Sequence, residues 1–292
     1  MAWKSGSRPW FRACGADSMD LALLVFALGF AVSLLSGLLG IGGGIVLAPA
    51  LLYLPSLLGL GHLDMKTVSG LTITQGLFAC LSGSLCHDRH HTVNHRLVAW
   101  MGVTFFTSAL SGALISRWVA SEVLMLVFAG MAVVAAVLMW MPVHDQGQGD
   151  ATATGDFDRR IAVGIALVVG LLGGLVGQGG SFILIPLLLH GLKLPTRVAI
   201  GSNLALVAIA SLAGFAGKLV TGQVPLLSAL ALVAGAIPAA QIGSALSFRT
   251  PPRWLRFILA ALILLAAVKM ASDVLASRVE PCRSPVGVSS ST

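Results

Sequence analysis

The sequence predicts an all-α polytopic membrane protein built from two homologous halves of about four hydrophobic regions each, the first region of each half broken at a glycine motif. Three observations carry this expectation. The 292-residue chain is 57% hydrophobic and only 10% charged, with a mean hydropathy of +0.93, whereas a soluble domain is about one quarter charged. Its apolar residues gather into eight continuous regions, and crossing the hydrocarbon core takes roughly 20 such residues. One glycine-rich phrase also occurs twice, as GLLGIGGGIVLAPALL at 37–52 and GLVGQGGSFILIPLLL at 174–189.

Taken in order, residues 1–19 read as an N-terminal tail. Lys4, Arg8 and Arg12 before an apolar run also describe a secretory signal peptide. The run continues into the first glycine phrase without a small-residue cleavage site, so it reads as a retained span. The first transmembrane repeat, 20–141, holds regions 21–58, 67–86, 97–116 and 122–141. The polar, acidic PVHDQGQGDATATGDFD makes 142–159 an exposed linker. The second repeat, 160–276, holds 160–190, 196–217, 225–248 and 254–276, and the serine-rich 277–292 reads as a disordered tail. The runs lack the in/out alternation of barrel strands. Trp100, Trp118, Trp140 and Trp254 fall at span ends, where an indole reaches the headgroups.

Regions 21–58 and 160–190 are too long for one crossing, and each contains one copy of the phrase. With an offset of 137 residues, Gly37, Gly40, Gly42, Gly43 and Pro49 fall on Gly174, Gly177, Gly179, Gly180 and Pro186; with an offset of 131, Gly83, His87, Val93 and Gly112 fall on Gly214, Lys218, Val224 and Gly243. This pattern reads as an internal duplication, and paired interrupted helices point to a transporter's binding site where the repeats meet.

A helix broken within a membrane exposes backbone groups that hydrocarbon cannot satisfy, so the break must be buried in protein or line a wet cavity. After each break Ile45–Leu52 and Phe182–Leu189 can restart as short helices, whose N-terminal N–H groups attract anions. Glycines before the restart let an oxyanion approach the backbone. The candidate substrate-binding residues are therefore Gly40, Gly42, Gly43 and Gly44 in the first motif and Gly177, Gln178, Gly179, Gly180 and Ser181 in the second. Thr72, Gln75, Ser202 and Asn203, early in the next span of each half, join them; their hydroxyl and amide groups can donate to an oxyanion or bond between helices. Four-residue glycine spacing, as at Gly170 and Gly174, also suits close helix packing. Two matching copies, each followed by proline at the same distance, favour the functional reading.

All eleven carboxylates fall in expected loops, tails or span ends. That disfavours a cation pump or a carboxylate-based proton antiporter and leaves neutral dipoles, which suit a polar or anionic solute. Neither a dinucleotide fingerprint nor a phosphate loop is spelled at the glycines, and no Ser-His-Asp set, metalloprotease helix or CxxC pair is visible. The expected partners are a small anionic solute and the lipid bilayer, with no nucleic acid, no cofactor, no resident metal and no catalysis. A competing reading is a membrane-embedded metal-handling protein, since CHDRHHTVNH sets His87, His91 and His95 at spacings that could share a helical face.

The two glycine phrases, with RVAIGSNLALVAIASLAGFAGKLVTGQV, resemble the sulfite exporter TauE/SafE family over nearly all of 20–276. The resemblance implies an exporter of sulfite, sulfonates or related organic anions in the bacterial inner membrane, with the two motifs as facing halves of a central site. Gln178 and Ser181 depart from the more usual triple glycine. Lysine and arginine counts do not orient the chain; by analogy with transporter design, an inverted repeat is favoured, each broken region entering and leaving on one side.

Overall fold

A computed structural model describes residues 15–59, 63–90, 92–140, 158–177, 180–192, 194–251 and most of 254–265, with side chains from residue 22 onward. Nearly all of the expected linker and the whole C-terminal tail lie outside the described residues, while the first helix already begins at Gly15, inside the expected N-terminal tail. The elements are α1 (Gly15–Leu39), α2 (Gly44–Leu57), α3 (Met65–Arg89), α4 (His95–Ile115), α5 (Ser121–Trp140), α6 (Arg159–Val176), α7 (Ser181–Gly191), α8 (Thr196–Val220) and α9 (Leu226–Ser247). Further helical residues follow between 254 and 265. Among the described residues there is no strand.

Seven of these helices are long and apolar enough to cross a membrane, and α2 and α7 are the shorter apolar pieces. Each overlong region has thus resolved into a long helix and a short one. Two helix starts carry side-chain caps, the Asn94 and Asp158 side chains accepting from the Leu97 and Arg160 amides at 3.0 and 2.9 Å, whereas the starts of α2, α3, α7, α8 and α9 carry none. Trp100 and Trp118 are exposed near helix ends, with the Arg159 and Arg117 guanidinium groups over their rings.

In an apolar 18-residue stretch of α3 and of α8, 78% of the residues are buried, against 33–39% in such stretches of the other long helices, so these two form the centre. Around them α1 lies along α9 and α6 along α4. Glycine makes these contacts close: a Cβ at Gly37 would meet the Ala240 carbonyl, and one at Gly174 the Ala109 carbonyl. Likewise Gly112 abuts Leu171 and Gly243 abuts Leu34. Lipid tails are as apolar as the side chains, so close van der Waals packing of this kind is what holds such helices together. The sequence offsets of 137 and 131 residues recur in every one of these pairings.

Contacts at the helix ends define the path. At one end, Ser121 Oγ donates to Asp64 at 2.7 Å, Lys66 Nζ to the Arg117 carbonyl at 3.1 Å and Lys218 Nζ to Ser116 Oγ at 3.1 Å. At the other end, His95 pairs with Asp88 at 2.9 Å and the Asn94 amide donates to Ser202 at 2.9 Å. Helices α3, α4 and α5 shuttle between the two ends, as do α8 and α9. Helix α1 runs parallel to α9 from the first end, and α2 returns to that end before Asp64. Helix α6 starts at the second end, where Arg159 covers Trp100, and α7 returns there before Thr196. Each broken pair therefore enters and leaves by one end, and the two pairs use opposite ends.

Candidate functional site: the crossing of two broken helices

The breaks are made by backbone that only glycine adopts cheaply. Gly40, Gly42 and Gly43 have φ of 73, 66 and 75°, and Gly177 and Gly180 have φ of 84 and 68°, a region that costs other residues roughly 1–2 kcal/mol. Helix α1 closes with the Gly40 amide on the Ser36 carbonyl at 2.7 Å, and α6 with the Gly177 amide on Gly173 at 2.9 Å. Helix α2 restarts with Leu47 N–H on the Gly43 carbonyl and α7 with Leu184 N–H on the Gly180 carbonyl, at 3.0 and 3.1 Å.

The freed carbonyls are satisfied from the opposite half. Thr72 Oγ1 donates to the Gly177 carbonyl at 2.8 Å, and the Asn203 side-chain amide donates to the Gly40 carbonyl. Thr72 and Asn203 are themselves 131 positions apart. At mid-depth the two breaks touch: Ser181 Oγ, at the start of α7, donates to the Ile41 carbonyl. Beside them, midway along α3, Gln75 Nε2 donates to Ser33 Oγ at 2.8 Å.

Two helix N-termini converge here. Gly43 and Gly180 occupy the N-cap positions of α2 and α7, and neither helix start has a side-chain cap, so first-turn N–H groups lie at the positive ends of two macrodipoles. The buried atoms Ser36 Oγ, Gln75 Oε1, Asn203 Oδ1 and Ser211 Oγ have no protein partner, although buried polar atoms are normally paired. All four belong to residues at the crossing: Ser36 closes α1, Gln75 lies against Gly43, Asn203 binds Gly40, and Ser211 lies beside Gly76. The described buried polar and charged residues include no Asp or Glu.

The crossing is closed in this conformation. A Cβ at Gly42 would lie 2.8 Å from Ser181 Oγ, and one at Gly43 2.6 Å from Gln75 Nε2. A small cavity of about 10 Å³ nearby is lined by Leu39, Ile185, Thr196 and Ile200 among others.

The sequence profile of the sulfite exporter TauE/SafE family matches residues 25–270. The chain belongs to this family. Among similar TauE/SafE-like proteins, YunE of Bacillus subtilis is 26% identical over 271 residues, covering 86% of this chain and 97% of that one. YjnA of the same organism is 25% identical over 262 residues, covering 86% and 100%, and a protein of Methanocaldococcus jannaschii is 24% identical over 250 residues, covering 82% and 91%. Each is named a probable membrane transporter protein. No solved structure matches.

Of the residues that the sequence singles out in this TauE/SafE chain, the structure brings together Gly40, Gly42, Gly43, Gly44, Gly177, Gly180, Ser181, Thr72, Gln75 and Asn203 around the two breaks. Gln178 and Gly179 lie outside the described residues. Ser202 is placed elsewhere: it accepts from the Asn94 amide and ties α8 to the start of α4 at the second end. His87 and His90 both lie against the Phe248 ring instead of at a shared ligand position. His87 is buried with Nδ1 3.1 Å from Thr92 Oγ1, His90 stacks on Phe248 at 4.0 Å, and His95 pairs with Asp88. His91 lies outside the described residues, and among those described no three metal-ligating side chains gather.

Sequence reasoning missed Ser33, Ser36 and Ser211, single serines in apolar runs with nothing to separate them from packing residues. It also missed Lys218, entirely buried in α8. Two residues from the helix end, a lysine ordinarily snorkels to the interface.

Proposed function

We propose that this transporter exports small anions, namely sulfite, sulfonates or related sulfur-containing and organic anions, across a bacterial inner membrane by alternating access around the crossing of the two broken helices. The observation that carries the reading is the convergence at mid-depth of two helix N-termini that lack side-chain caps, with partnerless polar atoms around them and no buried carboxylate among the described residues. The first-turn N–H groups and the Ser36 and Ser211 hydroxyls offer donors to an oxyanion, while the partnerless Gln75 and Asn203 atoms are acceptor oxygens, and no buried carboxylate among the described residues repels it.

In this scheme the closed crossing is the occluded intermediate. Opening toward either face separates Ser181 from Ile41 and Gln75 from Gly43, which uncovers the N–H groups of the α2 and α7 starts. The recurring offsets and the opposite entry of the two broken pairs support reading the halves as an inverted repeat, so that rocking one against the other opens the two faces alternately. A membrane potential negative inside drives an anion outward by roughly 2.3 kcal/mol per charge per 100 mV. Export on this account needs no coupling ion.

Flux of radiolabelled sulfite from proteoliposomes tests the proposal. The wild type empties faster than protein-free vesicles, and Gly42→Val and Gly180→Val variants with wild-type size-exclusion profiles lose roughly tenfold or more of that flux. Wild-type flux equal to that of empty vesicles overturns sulfite as substrate. Undiminished flux in both variants removes the crossing from the mechanism.

A further inference from the structure

Outside the crossing, the described residues bury one lysine. Lys218 is 0% exposed, near the first end of the molecule, where α3 begins and α4, α6 and α8 finish. Its Nζ lies within hydrogen-bond distance of four oxygens for its three N–H groups: Ser69 Oγ at 2.9 Å, Ser116 Oγ at 3.1 Å, Gln223 Oε1 at 3.2 Å and the Leu175 carbonyl at 3.4 Å. Every partner is a neutral oxygen. The nearby carboxylates, Asp64 and Glu122, are exposed, and Asp64 is taken by Ser121.

A buried charge without a counter-ion is costly, and ionisable groups within membranes are kept where they act on a solute or ion. The surroundings of Lys218 lead both outward and inward. Outward lie Lys66, which donates to the Arg117 carbonyl, and Arg117 itself on the Trp118 ring, beside the exposed Asp64 and Glu122, so the surface there carries both signs and only the buried position is cationic alone. Inward, Leu175 belongs to the last turn of α6, and the Ser69 carbonyl lies against Gly177, where the second break begins. The matching place in the first half, 131 residues earlier, holds His87, which is 1% exposed and whose Nε2 has no protein partner. The central pair of helices thus carries a buried basic side chain near each end of the molecule.

We infer that Lys218 forms an anion-binding subsite at the first end of the transport route, between Lys66 and Arg117 on its outer side and the second glycine break. The anion supplies the counter-charge that the protein withholds, and the Ser69 and Ser116 hydroxyls, which donate to the Lys66 and Ala113 carbonyls at 2.8 and 2.7 Å, exchange those bonds to donate to it. This deepens the export reading and rests on it, so the test uses one measurement that needs transport and one that does not.

The first measurement is thermal stabilisation of the purified full chain by sodium sulfite, sulfate, thiosulfate or methanesulfonate, against sodium chloride at matched ionic strength. Wild type and Lys218→Arg are stabilised by the same anions, and Lys218→Met is not. Lys218→Gln, which keeps a hydrogen-bond donor, serves in its place where the methionine variant fails to fold. The second measurement is sulfite flux, in which Lys218→Met or Lys218→Gln raises KM roughly tenfold or more while Lys218→Arg stays within about threefold. Stabilisation that depends on the charge at 218, without flux in any variant, supports the subsite and defeats export of sulfite. No anion-dependent stabilisation of the wild type, equal stabilisation of the neutral variants, or equal impairment of the arginine and neutral variants overturns the subsite and leaves Lys218 as a tie between helix ends.

Discussion

Gly40 and Gly177 each end a helix with a carbonyl that hydrocarbon cannot satisfy, and each finds its donor in the other half of the chain. Removing the donor while leaving the carbonyl buried is the costly kind of hydrogen-bond deletion. Thr72→Val and Asn203→Leu are therefore expected to lower stability by about 1–2 kcal/mol each, toward the upper range of interhelical bonds in membranes, as read by chemical unfolding in detergent. Thr72 and Asn203 were legible in the sequence as polar residues within apolar spans. Their partners were not, because the bonds join positions 105 and 163 residues apart, and local spacing says nothing about contacts at that range. Lys218 stayed hidden for a different reason. Its place near a span end is where a lysine usually reaches water, and only the packing of four helix ends over it reveals the burial.

Among the elements, glycine does two separable jobs. Gly37, Gly174, Gly112 and Gly243 bring helix backbones together, whereas Gly40, Gly42 and Gly43 turn the chain where no helix can continue, and Gly177 and Gly180 do both, since a Cβ there would meet the Ser69 carbonyl and lie 2.8 Å from the Val169 carbonyl, respectively. The sequence weighed packing against breaking as rival explanations of one motif; the structure finds both within the same motif. Substitution tells these glycines apart. Gly180→Ala has its φ of 68° to overcome and a methyl that would lie 2.8 Å from the Val169 carbonyl, and is expected to cost at least about 1–2 kcal/mol. Gly174→Val meets the Ala109 backbone, which cannot yield, and is expected to cut the folded yield sharply in size-exclusion profiles. Gly130 and Gly164 face open space, so alanine there is expected to be neutral or stabilising by up to about 1 kcal/mol. Equal effects at all four positions would remove the distinction.

For the whole molecule, most of the described spans were legible to within a few residues because bilayer thickness fixes their length, although α1 begins at Gly15, ahead of the expected start at 21, and the region 254–276 is described only as far as residue 265. The direction of each half was not, since lysine and arginine fall on both sides of every simple count. The structure supplies a direction through its end contacts. In a cysteine-free background, membrane-impermeant maleimide is expected to label Leu58→Cys, at the end of α2, and Trp118→Cys from one face, and Arg249→Cys from the opposite face; all three sites are exposed. Labelling of Leu58→Cys together with Arg249→Cys would mean that α2 leaves on the far side and would undo the inverted arrangement. The exchange of hydrogen bonds between halves also bears on biosynthesis. The Gly40 carbonyl leaves the ribosome 163 residues ahead of its donor on Asn203, while Thr72 is already in place when Gly177 emerges. The nascent first half must therefore wait in the translocon or bilayer with one bare oxygen, and the arrival of α8 late in translation is the event that seals it.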